Sequence, residues 1–96
     1  MEIIKTGSSS GLSVALSGRL DTTTAPMLEE ALQLEGITKL ELDFSNLDYI
    51  SSAGLRVLLA AQKTMNKQGE MILRGVCDSI MDVFEITGFS EILTIE

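Results

Sequence analysis

The chain of 96 residues has no histidine, no tryptophan, one cysteine and one proline. The lack of histidine excludes Ser-His-Asp triads and Cys-His nucleophilic pairs, and it removes the commonest metal ligand. Cys77 alone cannot form an internal disulfide or supply the several thiolates of a structural zinc site, so the chain does not require an oxidising compartment. We therefore expect no metal site and no hydrolytic machinery of the usual kinds.

Basic residues and long apolar runs are also scarce. Seven Lys and Arg residues stand against 14 Asp and Glu residues, which gives a net charge of −7. An acidic chain repels phosphate backbones, so direct binding of nucleic acid is not expected. No apolar run approaches the roughly 18 residues of a membrane span, and the N-terminus lacks the apolar segment of a secretion signal. These features predict a cytoplasmic protein without membrane insertion, folded as one domain over residues 1–96.

The hydrophobic pattern predicts a small mixed α/β domain. Apolar residues alternate with polar ones over 12–16 and again over 38–44, which is the period of a strand with one buried face. The Gly- and Ser-rich run at 6–11 is expected to be a loop between a first strand and the one at 12–16. Residues 70–74 and the C-terminal apolar residues predict two further strands, and a polar turn is expected at 45–48. The predicted order is β-β-α-β-α-β-α-β, a sheet of four to five strands with helices packed mainly on one face.

Three segments have the spacing of helices. Thr24 is expected to cap the first helix, with Pro26 tolerated in its first turn. The second helix follows the serine pair at 51–52 and is expected to end at Gly69. Asp78 is expected to cap the third helix, and Gly88 is expected to end it in the left-handed conformation.

The most informative segment is the serine pair between a strand and the longest helix. Free backbone N–H groups and the helix dipole make such a position favourable for an anion. The plainer interpretation is that Ser51 or Ser52 only caps the helix. A nucleophile elbow is not supported, because Ile50 replaces the first glycine of its motif and the chain has no histidine base. No glycine-rich run with lysine opens a helix, so a phosphate-binding loop is not predicted either.

Three blocks of sequence resemble the STAS family (sulfate transporters and anti-sigma-factor antagonists), and in particular its free-standing bacterial anti-sigma-factor antagonists. The resemblance covers the chain from about residue 10 to the end, and its middle block is the most specific. The blocks are Gly18-Arg19-Leu20-Asp21 with Thr24-Ala25, Leu42-Asp43-Phe44-Ser45 with Tyr49-Ile50-Ser51-Ser52-Ala53-Gly54-Leu55, and residues 80–84 with Thr87-Gly88-Phe89 and Ile92.

The resemblance implies where a phosphate would be attached and where a partner would bind. The phosphorylated serine of the family falls on Ser52, and Ser51 stands where the family has Asp, which makes Ser51 a competing acceptor. On local sequence alone, Asp21 could simply form an Asx turn and Asp43 could be an exposed strand residue. The partner-binding residues implied by the resemblance are Asp21, Thr22, Asp43, Ser51, Ser52, Gly54, Leu55 and Arg56.

The resemblance also implies a mechanism in which the chain is not an enzyme and needs no cofactor. The unmodified domain would bind an anti-sigma factor that is also a GHKL-type serine kinase, phosphorylation would release it, and a PP2C-type phosphatase would reset the cycle. The alternative is a non-phosphorylated STAS subunit of an ABC-type lipid or solute transport complex. The replacement of the family Asp by Ser51 mildly favours that alternative.

Overall fold

The computed structural model describes the whole chain, residues 1–96, and contains five strands, three α-helices and one 3-10 helix. It confirms the predicted mixed α/β class and the predicted order of elements. The elements are β1 (Glu2–Gly7), β2 (Gly11–Leu20), α1 (Ala25–Ala31), β3 (Lys39–Ile50), α2 (Ser52–Gln68), β4 (Glu70–Arg74), α3 (Asp78–Thr87), the 3-10 helix Phe89–Glu91 and β5 (Thr94–Ile95).

The five strands form one sheet in which the spatial order is the chain order, β1-β2-β3-β4-β5. The hairpin β1–β2 is antiparallel, and the other three pairings are parallel. Parallel strands need long crossover connections, and α1, α2 and α3 supply them. The carboxyl ends of β2 and β3 therefore lie side by side at one edge of the sheet.

The core lies between the helices and one face of the sheet. Val14, Leu42 and Leu73 stand on that face and are buried, while their chain neighbours Asp43 and Arg74 are exposed on the other face. Each helix contributes fully buried side chains; the rings of Phe44 and Phe84, for example, have centroids 6.4 Å apart. This one-sided packing confirms the predicted layer arrangement. None of the helices combines the length and hydropathy that crossing a bilayer requires.

The central strand β3 is longer than the sequence predicts. The prediction of a polar turn at 45–48 is wrong, because the strand continues to Ile50. The register between β2 and β3 shifts twice, between Ala15 and Ser17 and between Gly18 and Arg19, and each shift places one extra residue in β3. Gly18 lies within β2 at the second irregularity, with φ +93.

The helix ends follow the predictions in part. Gly69 is the C-cap of α2, and Gly88 ends α3 with φ +82, both as expected. The prediction that Asp78 caps α3 is wrong, because Cys77 occupies the N-cap position and Asp78 is the first helical residue. Thr24 does occupy the N-cap position of α1, but its side chain makes no capping hydrogen bond.

Candidate functional site

The serine pair lies where β2 and β3 end together. Leu20 and Ile50, the last residues of these strands, are register partners. The backbone N–H of Ser51 donates to the carbonyl oxygen of Leu20 at 2.9 Å. This bond places the loop that follows β2, which begins at Asp21, directly beside the N-terminus of α2.

The two serines occupy different environments. Ser51 is the N-cap residue of α2, with extended backbone, and its hydroxyl oxygen accepts from the backbone N–H of Gly54 at 3.4 Å. Ser52 is the first helical residue and is exposed. The capping interpretation is therefore confirmed for Ser51. The hydroxyl of Ser52 has no part in the cap and faces solvent at the positive end of a helix of 17 residues.

Gly54 allows α2 to begin against the strand ends. A Cβ atom at this position would lie 2.8 Å from Cγ of Leu20 and 2.9 Å from Cγ1 of Ile50. Contacts that short require the neighbours to move, so only glycine fits without displacement. The start of α2 is consequently fixed on the sheet, and the position of Ser52 is fixed with it.

The loop after β2 is organised by the carboxylate of Asp21. Its Oδ1 accepts from the backbone N–H groups of Thr23 at 3.0 Å and Thr24 at 3.1 Å, and from the Thr23 hydroxyl at 2.8 Å. The hydrogen bond from the Thr23 hydroxyl is the main cause that lowers the pKa of Asp21, with smaller contributions from the backbone N–H groups and the Thr24 hydroxyl. The Asx-turn interpretation of Asp21 is thus confirmed, and the loop presents a fixed negative charge beside the serines.

Arg19 and Tyr49 form a pair that the sequence analysis did not identify. They are register partners on β2 and β3, and the Arg19 guanidinium carbon lies 4.1 Å from the centroid of the Tyr49 ring. Arg19 Nε also lies 3.8 Å from Asp21 Oδ2. Tyr49 is the only tyrosine of the chain and is 40% exposed. The feature of the sequence that could have identified this residue is a single aromatic ring next to the serine pair.

A groove opens beside the serines between α1 and α2. It encloses about 410 Å³, and Thr22 and Arg56, both predicted partner-binding residues, lie on its walls. Small side chains form much of the rest of its surface, which leaves room for side chains of another molecule. The lining residues are Thr22, Ala25, Pro26, Glu29, Ala53, Arg56 and Val57.

The remaining predicted residues do not lie on this surface. Leu55 is 7% exposed and belongs to the core, and Gly54 is buried as well. Asp43 is an exposed strand residue, as its local sequence suggests; it stands on the open face of the sheet, seven residues before Ile50, which is roughly 20 Å along a strand. Its carboxylate accepts from the backbone N–H and hydroxyl of Ser45, and the hydroxyl bond is the first cause of its lowered pKa. The partner-binding role of these three residues stays a prediction.

Chemically, the site can receive a group more readily than it can transfer one. The chain has no histidine to act as a base for the Ser52 hydroxyl, and the nearby Asp21 carboxylate is hydrogen-bonded to Thr23 and Thr24. The N–H groups of the first turn of α2 and the helix dipole would stabilise an anion attached there. An accessible hydroxyl in such a position suits modification by an external catalyst.

Comparison with known proteins identifies the family. The STAS domain family model matches residues 2–96, and the chain belongs to that family. The anti-sigma-B factor antagonist of Listeria monocytogenes is 36% identical over 98 residues, covering 97% of this chain and 85% of the relative. The anti-sigma-B factor antagonist of Staphylococcus aureus is 33% identical over 84 residues, covering 83% of this chain and 78% of the relative.

Solved structures share the fold at lower sequence identity. The unphosphorylated form of the anti-sigma factor antagonist SpoIIAA matches with a TM-score of 0.84 and 16% identity, covering 99% of this chain and 88% of that one. The phosphorylated form of the Bacillus protein SpoIIAA matches with a TM-score of 0.75 and 17% identity, covering 99% and 91%. An anti-sigma factor antagonist from Mycobacterium paratuberculosis matches with a TM-score of 0.86 and 22% identity, covering 98% and 83%.

Proposed function

We propose that this chain is an anti-sigma-factor antagonist and that a phosphate on Ser52 controls its binding to an anti-sigma factor. It acts through protein–protein contact and carries out no chemistry of its own. Support comes from the names of its relatives in Listeria and Staphylococcus, both at least 33% identical over more than four fifths of this chain. Those names favour the antagonist over the transporter subunit that the sequence left open.

The single observation that carries the proposal is that Ser51 caps α2 whereas Ser52 does not. Ser51 holds the N-cap bond to Gly54, so its hydroxyl already serves the fold. Ser52 is exposed and carries no such bond, so a kinase can modify it without dismantling the helix start. The acceptor hydroxyl and the structural hydroxyl are therefore separate residues.

One phosphate is enough to switch binding at this position. It adds about −1.5 to −2 charges, and the dipole at a helix N-terminus favours each unit of negative charge by about 0.3–1 kcal/mol. The free protein therefore tolerates the modification. In a docked interface the same dianion must be desolvated, and a negative charge of the partner that faces it typically costs several kcal/mol. A loss of about 2.8 kcal/mol already lowers affinity 100-fold.

The partners implied are an anti-sigma factor with GHKL-type serine kinase activity and a PP2C-type phosphatase. The kinase must reach Ser52, and the loop 21–24 and the first turn of α2 border this serine on the surface. Thr22 and Arg56 are exposed there, and Asp21 is partly exposed. The partner supplies the nucleotide and the catalytic base, which agrees with a chain that lacks histidine.

The test is phosphorylation of the purified chain by the GHKL-type anti-sigma factor of the same organism, with labelled ATP and mapping of the modified peptide. We expect the label on Ser52, loss of label in Ser52→Ala, and continued labelling in Ser51→Ala. Binding of the unmodified chain to the same anti-sigma factor is measured in parallel. Label confined to Ser51, or neither label nor binding, would contradict the proposal.

A further inference from the structure

The groove beside Ser52 continues along the helices away from the serines. A second depression between α1 and α2, of about 140 Å³, shares Glu29 and Val57 with the first. We call the two together the α1–α2 groove. Its distal half is lined by Glu29, Leu32, Leu34, Val57, Ala60, Ala61 and Thr64.

The shape of the α1–α2 groove suits a helix. On α2 its wall runs from Ala53 to Thr64, which is about 16 Å, or three helical turns, at the α-helical rise. The side chains of Ala53, Ala60 and Ala61 on this wall are small, so the backbone of a third helix can approach α2 closely. Leu32 and Leu34 give the distal floor an apolar surface that large side chains of an incoming helix can cover.

The two rims of the α1–α2 groove carry opposite charges. On α1, Glu29 and Glu30 are exposed near the C-terminal end of the helix. On α2, Arg56 and Lys63 are exposed and seven residues apart, so they lie on the same side of that helix. Neither cation takes part in an ion pair within the chain. A ligand with cations on one flank and anions on the other is complementary to these rims.

We propose that the α1–α2 groove is the docking site for an amphipathic helix of the anti-sigma factor, with its apolar face on the groove floor. The proposal rests on the proposed function and adds the distal half of the groove to the contact surface. Continuity supports this occupant, because the proximal half is lined by Thr22, Ala53 and Arg56, which border Ser52. A helix seated along the groove would end at the phosphate-accepting serine.

The distal contact is separate from the switch itself. Ala60 follows Ser52 by eight residues, which is about 12 Å along α2. Effects of substitutions that far apart usually add, so distal contacts set the affinity of both forms while the phosphate sets the ratio between them. Affinity and switching can therefore be changed independently.

The experiment measures binding of the purified anti-sigma factor to wild type and to Ala60→Arg and Thr64→Arg, by calorimetry or surface plasmon resonance. Both positions are exposed, so the variants keep the core and their melting temperatures check the fold. We expect each arginine to obstruct the groove and to weaken binding by about tenfold or more, as loss of a central contact does. Ala60→Ser, which keeps the side chain small, is the matched control and should bind within about twofold of wild type.

The same variants separate this inference from the proposed function. Each is combined with Ser52→Asp, and we expect the two losses of affinity to multiply, with the Ser52→Asp ratio unchanged by Ala60→Arg. Wild-type affinity in both arginine variants would overturn the groove proposal while leaving the antagonist function intact. Absence of both binding and phosphorylation for wild type would overturn the two together.

Discussion

A Cβ atom on Gly54 would lie 2.8 Å from Cγ of Leu20, closer than real Cβ contacts come. Gly54→Ala should therefore lower the free energy of unfolding by about 1–3 kcal/mol, the usual cost of overpacking. Urea unfolding of the purified variant measures this.

The same contact offers an internal check. Leu20→Ala removes the atom that the new methyl group would meet, so the double variant should be less destabilised than the sum of the two single variants. Simple additivity, or an unchanged midpoint in Gly54→Ala, would show that the contact does not constrain the helix start.

The two serines should differ in their effect on stability. Ser51→Ala removes the side-chain acceptor of the N-cap and should cost about 1 kcal/mol, whereas Ser52→Ala removes an exposed hydroxyl and should change stability by less than about 0.5 kcal/mol. Thermal and denaturant unfolding of both variants measure the difference. Equal destabilisation by the two substitutions would contradict the separate roles of Ser51 and Ser52.

Ser52→Asp should imitate the modified state in binding but not in folding. The carboxylate lies at the positive end of α2, so we expect a melting temperature within about 2 °C of wild type. Affinity for the anti-sigma factor should fall by about 100-fold, because the charge must be buried in the interface. Ser52→Asn has a similar size and no charge, and it should lose much less affinity. Equal losses in the two variants would point to shape, and not charge, as the cause.

The pKa of Asp21 should lie below its ordinary value of 3.8 and should depend on Thr23. A depressed carboxyl pKa contributes stability that is present above the unfolded-state pKa and is lost as the pH falls through the folded-state pKa. Thr23→Ala removes the strongest hydrogen bond to the carboxylate and should raise the pKa towards 3.8, as measured by NMR titration of the carboxyl carbon. Thr22→Ala, which removes a neighbouring hydroxyl without a bond to Asp21, should leave the pKa unchanged.

The sequence predicted those elements whose hydrophobic period is uninterrupted. β4 and the end of α2 at Gly69 lie where expected, because each carries one clear period and a definite stop. β3 was cut short because its buried residues Phe44, Leu47 and Ile50 are three apart, which is not the period of a regular strand. The extra residues opposite Ala15–Ser17 and Gly18–Arg19 produce that spacing, and only the pairing with β2 reveals them.

The site was predicted to a similar extent. The serine pair at the start of α2 and the Asx turn at Asp21 follow from local chemistry, so the sequence was sufficient for both. Thr24 occupies the expected N-cap position of α1, but its hydroxyl donates to the Arg19 carbonyl at 2.7 Å and makes no capping bond. The Arg19–Tyr49 pair and the α1–α2 groove depend on contacts between separate elements, which periodicity cannot supply.

The agreement between chain order and sheet order also affects how the molecule is made. Each strand pairs with the one synthesised just before it, so no pairing waits for a strand further along the chain. The surface around α2 can assemble while the last strand is still emerging from the ribosome. Folding in step with synthesis would thus make the surface that we propose for the anti-sigma factor available early in the life of the chain.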